Sequence, residues 1–109
     1  MTDPTVEEAD VDATAAAMSG GESVLIDVRE DFEWQMGHAE GARHIPLMEL
    51  PARLDELPRT TPIYLICATG NRSGRAAEFL MQNGFERPIN VRGGTVAWQR
   101  AGLPITRGS

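Results

Sequence analysis

Four apolar residues, Ile63-Tyr64-Leu65-Ile66, run without a polar break into Cys67, the only cysteine of this 109-residue chain. A half-exposed strand alternates apolar with polar side chains, so an unbroken run fits a strand covered on both faces, the usual condition of a parallel sheet. Val24-Leu25-Ile26-Asp27-Val28 repeats the pattern behind a Gly20-Gly21 turn, and Ile89 to Val91 is a shorter third run. Helical patterns separate these runs. Strands alternating with helices through short glycine and proline turns predict an α/β fold with helices on both faces of the sheet. In such sheets ligands bind beyond the carboxyl ends of the strands, where Asp27 and Cys67 are expected to emerge.

The remaining segments follow from periodicity and from helix stop signals. Asp12 can cap a short helix through Ala15, Ala16, Ala17 and Met18, and a second short helix is expected over Asp31 to Gln35, before Gly37. Gly41 to Pro46 offers a brief extended segment. Leu47, Leu50, Leu54 and Leu57 recur at three- and four-residue spacing, which puts them on one helix face that Pro58 ends. A loop from Ala68 to Arg72 precedes a helix from Ser73 through Ala77, Leu80 and Met81, closed by Gly84 and Phe85. Gly93-Gly94 opens a last small helix bearing Val96, Ala97 and Trp98. Residues 1–109 read as one domain, with 1–10 a flexible acidic lead.

Composition removes several function classes. All ten basic residues are arginine, so neither a Schiff-base lysine nor the lysine of a phosphate-binding loop can be present. A net charge of -6 opposes nucleic-acid binding. No apolar run approaches the ~20 residues that a membrane-spanning helix needs. The stretch Met1 to Asp12 is acidic without a basic residue, unlike a targeting leader, and a lone cysteine suits a reducing compartment. The expected location is the cytoplasm. One cysteine with two scattered histidines, His38 and His44, makes a poor zinc set, so no metal and no cofactor are expected.

Chemistry concentrates at Cys67-Ala68-Thr69-Gly70-Asn71-Arg72-Ser73. This segment joins a buried strand to a helix start, where unpaired amides and the helix dipole favour negative charge and therefore a thiolate. Gly70 allows a positive φ that turns successive amides inward as an anion nest, and Arg72 adds fixed charge at the rim. Burial as an inert thiol is the commonest fate of a free cysteine, and Arg72 alone could be a partner of Asp27. Glycine, arginine and helix start together favour a nucleophile. An ionised thiolate needs no neighbouring histidine base.

Three segments resemble the rhodanese family. Leu25 to Glu30 with Gly37-His38 and Gly41 to Pro46 is similar to its first signature, Cys67 to Ser73 to its active-site loop, and Val91 to Pro104 to its closing signature. The resemblance implies a rhodanese-like fold, a five-stranded parallel sheet flanked by helices, and a sulfurtransferase whose Cys67 carries sulfur as a persulfide. Thiosulfate or another persulfide would be the donor, and cyanide, a thiol or a sulfur-carrier protein the acceptor. Ala68, Thr69, Gly70, Asn71, Arg72 and Ser73 would bind substrate, supported by Asp27, Arg29, Arg75 and Arg92. Two other classes share the fold: a binding or regulatory module without chemistry, and phosphatases or arsenate reductases. The latter typically place one residue more between cysteine and arginine than the four present here. The retained Cys67 argues against the former.

Overall fold

A computed structural model describes residues 6–108. Strand β1 (Glu7–Ala9) leads into helix α1 (Val11–Gly20), followed by β2 (Val24–Asp27), α2 (Asp31–Met36), and the two-residue strands β3 (His38–Ala39) and β4 (Arg43–His44). A 3-10 segment (Leu47–Glu56) then precedes β5 (Ile63–Ile66), α3 (Asn71–Gln82), β6 (Pro88–Val91), α4 (Gly94–Arg100) and β7 (Ile105–Thr106). The main sheet has five strands in the order β1-β6-β5-β2-β4, every pair parallel. β3 and β7 form a separate antiparallel pair.

Alternation along the central strands divides the core into two layers. Ile63, Leu65 and Cys67, with Ile26 and Val28, face α3 and the 3-10 segment, where they meet Leu50, Ala76, Ala77 and Leu80. Tyr64 and Ile66, with Leu25, Ile89 and Val91, face α1 and α4, where they meet Val11 and Trp98. Both faces are covered, which is why β5 has no polar position.

The structure differs from the sequence expectations at identifiable places. The acidic lead, expected to be flexible over 1–10, contains β1, whose Glu7, Glu8 and Ala9 pair with Ile89, Asn90 and Val91; residues 1–5 lie outside the described residues. Asp10, not Asp12, caps α1, its carboxylate accepting from the Ala13 amide at 2.8 Å. The leucine-spaced segment is 3-10, ends at Glu56 and breaks at Arg53, because Pro51 lies inside it and supplies no N–H. Its leucines still face the core: Leu50 and Leu57 are buried and Leu47 and Leu54 pack against them. Helix α3 starts at Asn71, two residues before the expected Ser73, so Arg72 belongs to its first turn. Its end matches expectation: Phe85 N–H donates to Leu80 O at 3.1 Å and Gly84 N–H to Met81 O at 3.3 Å, a Schellman pair.

Candidate active site

β5 ends at Ile66, so Cys67 stands at the carboxyl edge of the central strand with α3 rising four residues later. The residue is 1% exposed and its sulfur is ringed by donors. Gly70 N–H reaches Sγ at 3.1 Å and the Ser73 hydroxyl lies 3.3 Å away. Gly70 has φ +113, which an L side chain rarely adopts and which aims its amide back at the sulfur. Burial pushes the thiol pKa up, but the Ser73 hydroxyl and the amides of Ser73, Gly70 and Thr69 pull harder, leaving it below the ordinary thiol value. Cys67 is thereby predisposed to ionise without a histidine.

The loop is clamped from below by α4. Thr95 donates to the Cys67 carbonyl through its amide at 2.8 Å and its hydroxyl at 3.1 Å, and the Val96 amide donates to Ala68 O at 3.1 Å. This requires glycine at 94. A Cβ there, at φ +58, would sit 2.5 Å from Cys67 O and 2.6 Å from the Ala68 carbonyl. The Gly93-Gly94 pair thus lets a helix N-terminus abut the backbone of the cysteine loop.

The charged residues form separate pairs. Asp27, fully buried, accepts from Arg29 Nε at 3.0 Å and Nη2 at 2.8 Å, and Arg29 Nη2 also donates to Gly37 O at 2.8 Å. Arg72 therefore does not pair with Asp27. Its two terminal nitrogens instead grip Glu33 of α2 at 2.7 and 2.9 Å, a two-point contact that drives the Glu33 carboxyl down to about 2 and the guanidinium further up. Arg92 is exposed and turns toward Glu8 at 3.7 Å. Arg75 is exposed beside a shallow hollow that Gly70, Asn71 and Asn90 also line. Thr69 and Asn71 are exposed at the loop surface and Ala68 is half-buried.

Neither histidine takes part. His38 Nδ1–H donates to Trp34 O at 2.8 Å and His44 Nε2–H to Arg29 O at 2.7 Å, carbonyls being acceptors only. Both rings lie parallel to Trp34, with centroids 3.4 and 4.8 Å away. They brace α2 against the β2 edge.

A cleft of about 330 Å³ opens beside the loop, lined by Arg29, Glu33, Met36, Ala68, Val96 and Arg107 among others. Arg107, Asn90 and Glu8 were not singled out from sequence. Arg107 follows β7, past the last motif residue, and Asn90 and Glu8 meet the site only through strand pairing. The one local signal was Asn90 itself, a polar residue inside an otherwise apolar strand run.

Comparison with known proteins agrees with this geometry. The family model of the rhodanese-like domain matches residues 10–101. A sulfurtransferase of Allochromatium vinosum is 37% identical over 92% of this chain and 94% of its own length. The thiosulfate sulfurtransferase GlpE of Vibrio cholerae is 34% identical over 88% and 91% respectively. Among solved structures, a rhodanese-like domain protein from Staphylococcus aureus superposes with a TM-score of 0.84 at 29% identity, covering 95% of this chain and all of that one. Fold, strand-end cysteine and these relatives together place the chain in the rhodanese-like domain family, among sulfurtransferases.

Proposed function

We propose that the protein moves sulfane sulfur through a persulfide on Cys67. In the first half-reaction the Cys67 thiolate attacks the outer sulfur of an anionic donor such as thiosulfate; a sulfur–sulfur bond forms to Cys67 and sulfite departs with the electron pair of the bond that breaks. In the second, a thiophilic acceptor attacks the outer persulfide sulfur and Cys67 leaves as thiolate. The acceptor is a thiol, cyanide or a sulfur-carrier protein; a protein would meet Met36 and Val96, both exposed along the cleft. The same reading takes residues 1–109 as one domain working in the reducing cytoplasm, without metal, cofactor or nucleic acid. Among the described residues no helix is long and apolar enough to cross a membrane.

The observation that carries this reading is the convergence of the Gly70 amide and the Ser73 hydroxyl on one buried sulfur. A ring this small suits a single sulfur atom, whereas a tetrahedral oxyanion needs more inward amides. Arg72 is held by Glu33, so the donor's anionic end is received by loop amides and by Arg107, which has no ion-pair partner among the described residues. Steady-state kinetics with thiosulfate and cyanide test the scheme. A covalent intermediate gives parallel double-reciprocal lines; intersecting lines indicate a ternary complex and defeat it.

A further inference from the structure

The Ser73 hydroxyl has one proton and two neighbours that can take it. Cys67 Sγ lies 3.3 Å away and Asn90 Oδ1 lies 2.6 Å away, with Ser73 fully buried and Asn90 nearly so. The Asn90 amide cannot be reversed, because its Nδ2 donates to Glu8 Oε2 at 3.0 Å and to Gly70 O at 3.1 Å, both of which only accept. Its oxygen therefore faces Ser73, and two oxygens this close need the serine proton between them. The sulfur makes a competing demand that depends on its state. A neutral thiol can donate to Ser73 Oγ, whereas a thiolate can only accept.

We propose that Asn90 is a positioning residue of the Cys67 site, competing with the sulfur for the single proton of the Ser73 hydroxyl. In the resting thiol, Cys67 S–H donates to Ser73, and Ser73 donates to Asn90. Ionisation releases the thiol proton to solvent, the hydroxyl turns to the thiolate, and Asn90 Oδ1 loses its donor. In the persulfide, a state that rests on the reaction proposed above, the charge sits on the outer sulfur and the inner one is a weak acceptor. The hydroxyl then returns to Asn90. Asn90 thus withholds part of the support given to the free thiolate and none from the loaded form, which favours loading.

Charged groups surround this chain of contacts on every side. They are Asp27 and Arg29 at the end of β2, Glu33 on α2, Arg72, Arg75 and Glu78 on α3, Glu8 on β1 and Arg92 after β6; the first turn of α4 brings none. Asn90→Val, a β-branched residue suited to a strand, keeps all of them, frees Glu8 from one hydrogen bond and removes one donor from Gly70 O, which still accepts from the Gly74 amide. Glu8→Gln controls for that release, since a glutamine oxygen still receives Asn90 Nδ2.

The test is the pH dependence of Cys67 alkylation by iodoacetamide, which reports one residue because there is one cysteine. Asn90→Val should move the midpoint down and speed alkylation roughly threefold at a pH below it, the scale of one weak hydrogen bond. Ser73→Ala should move it up, and adding Asn90→Val to Ser73→Ala should change nothing further, whereas an effect carried by the lost Nδ2 contact to Gly70 O, whose residue also holds the sulfur, would persist without the hydroxyl. A merely structural role would raise or leave the midpoint, and either result overturns the proposal. So does an Asn90→Val effect that persists without Ser73 or vanishes in Glu8→Gln. Should the Asn90 variant not fold, the Raman S–H band of wild type decides. It should lie at lower frequency than with a non-donating thiol, and its failure to move in Ser73→Ala removes the Cys67-to-Ser73 link. None of these readouts involves sulfur transfer, so normal midpoints without persulfide formation would defeat the reaction scheme and leave the competition for the proton standing.

Discussion

At Cys67 two opposing effects act on one atom: removal from water disfavours the thiolate, and inward donors restore it. Replacing Ser73 by Ala deletes the largest of the lowering contributions, and alkylation at neutral pH is expected to slow by about tenfold, the scale of a hydrogen bond to a charged group; an unchanged rate would show that the amides suffice. Cys67→Ser should fold normally and transfer no sulfur, checked by circular dichroism and a sulfite-release assay, since a serine hydroxyl is not ionised at neutral pH. The loop residues were legible because their chemistry is local: cysteine, glycine, arginine and helix start stand in one heptapeptide. Arg72's partner was not, because Glu33 lies 39 residues away and sequence offers no reason to prefer it to Asp27. Asn90 and Glu8 are hidden for the same reason, 82 residues apart yet bonded at 3.0 Å.

Between elements, the pairing of Arg72 on α3 with Glu33 on α2 is the tie whose consequences can be measured. Its carboxyl titrates lower in the folded protein than in the unfolded chain, so the unfolded state binds more protons in between. Stability from this pair is full above the ordinary carboxylate range and is lost as pH falls toward about 2. Glu33→Gln should flatten that acid limb and lower stability at neutral pH by about 1 kcal/mol, since both partners are partly exposed and solvent screens the pair. The same variant removes the charge facing the guanidinium and leaves an amide oxygen as a weaker acceptor. Because Glu33 holds Arg72, Arg72→Ala is expected to lower stability and leave thiosulfate kinetics unchanged; an about tenfold loss of thiosulfate use in Arg72→Ala that Glu33→Gln does not share would assign Arg72 to the donor instead. Gly94→Ala tests the other joint. Positive φ and the clash with the Cys67 carbonyl should lower stability by about 3 kcal/mol or more, and an unchanged melting temperature would contradict the account of how α4 seats the loop. At this scale sequence patterning served the periodic elements and missed most of the shortest ones. β5 and α3 carry their periods in four and twelve residues, and β4 falls within the extended segment expected over Gly41 to Pro46, whereas β1, β3 and β7 have two or three residues each and exist by virtue of what they pair with.

For the whole molecule, the covered sheet sets the chemistry by where it ends. Two apolar layers fix β2, β5 and β6 in parallel, which delivers Asp27, Cys67 and the Arg92 turn to one edge without any of them being near in sequence. The loop leaving that edge has four residues between Cys67 and Arg72, and inserting one small residue after Gly70 should reduce persulfide formation and let phosphate or arsenate protect Cys67 from alkylation. Undiminished sulfur transfer with no protection, in a variant of unchanged circular dichroism, would show that ring size does not select the reaction. The central claim is that Cys67 itself carries the sulfur. Intact mass spectrometry after incubation with thiosulfate measures this directly. The wild-type chain is expected to gain one sulfur atom that a reductant removes, and Cys67→Ser to gain none; a wild-type chain of unchanged mass, or a Cys67→Ser chain that still gains sulfur, would contradict it.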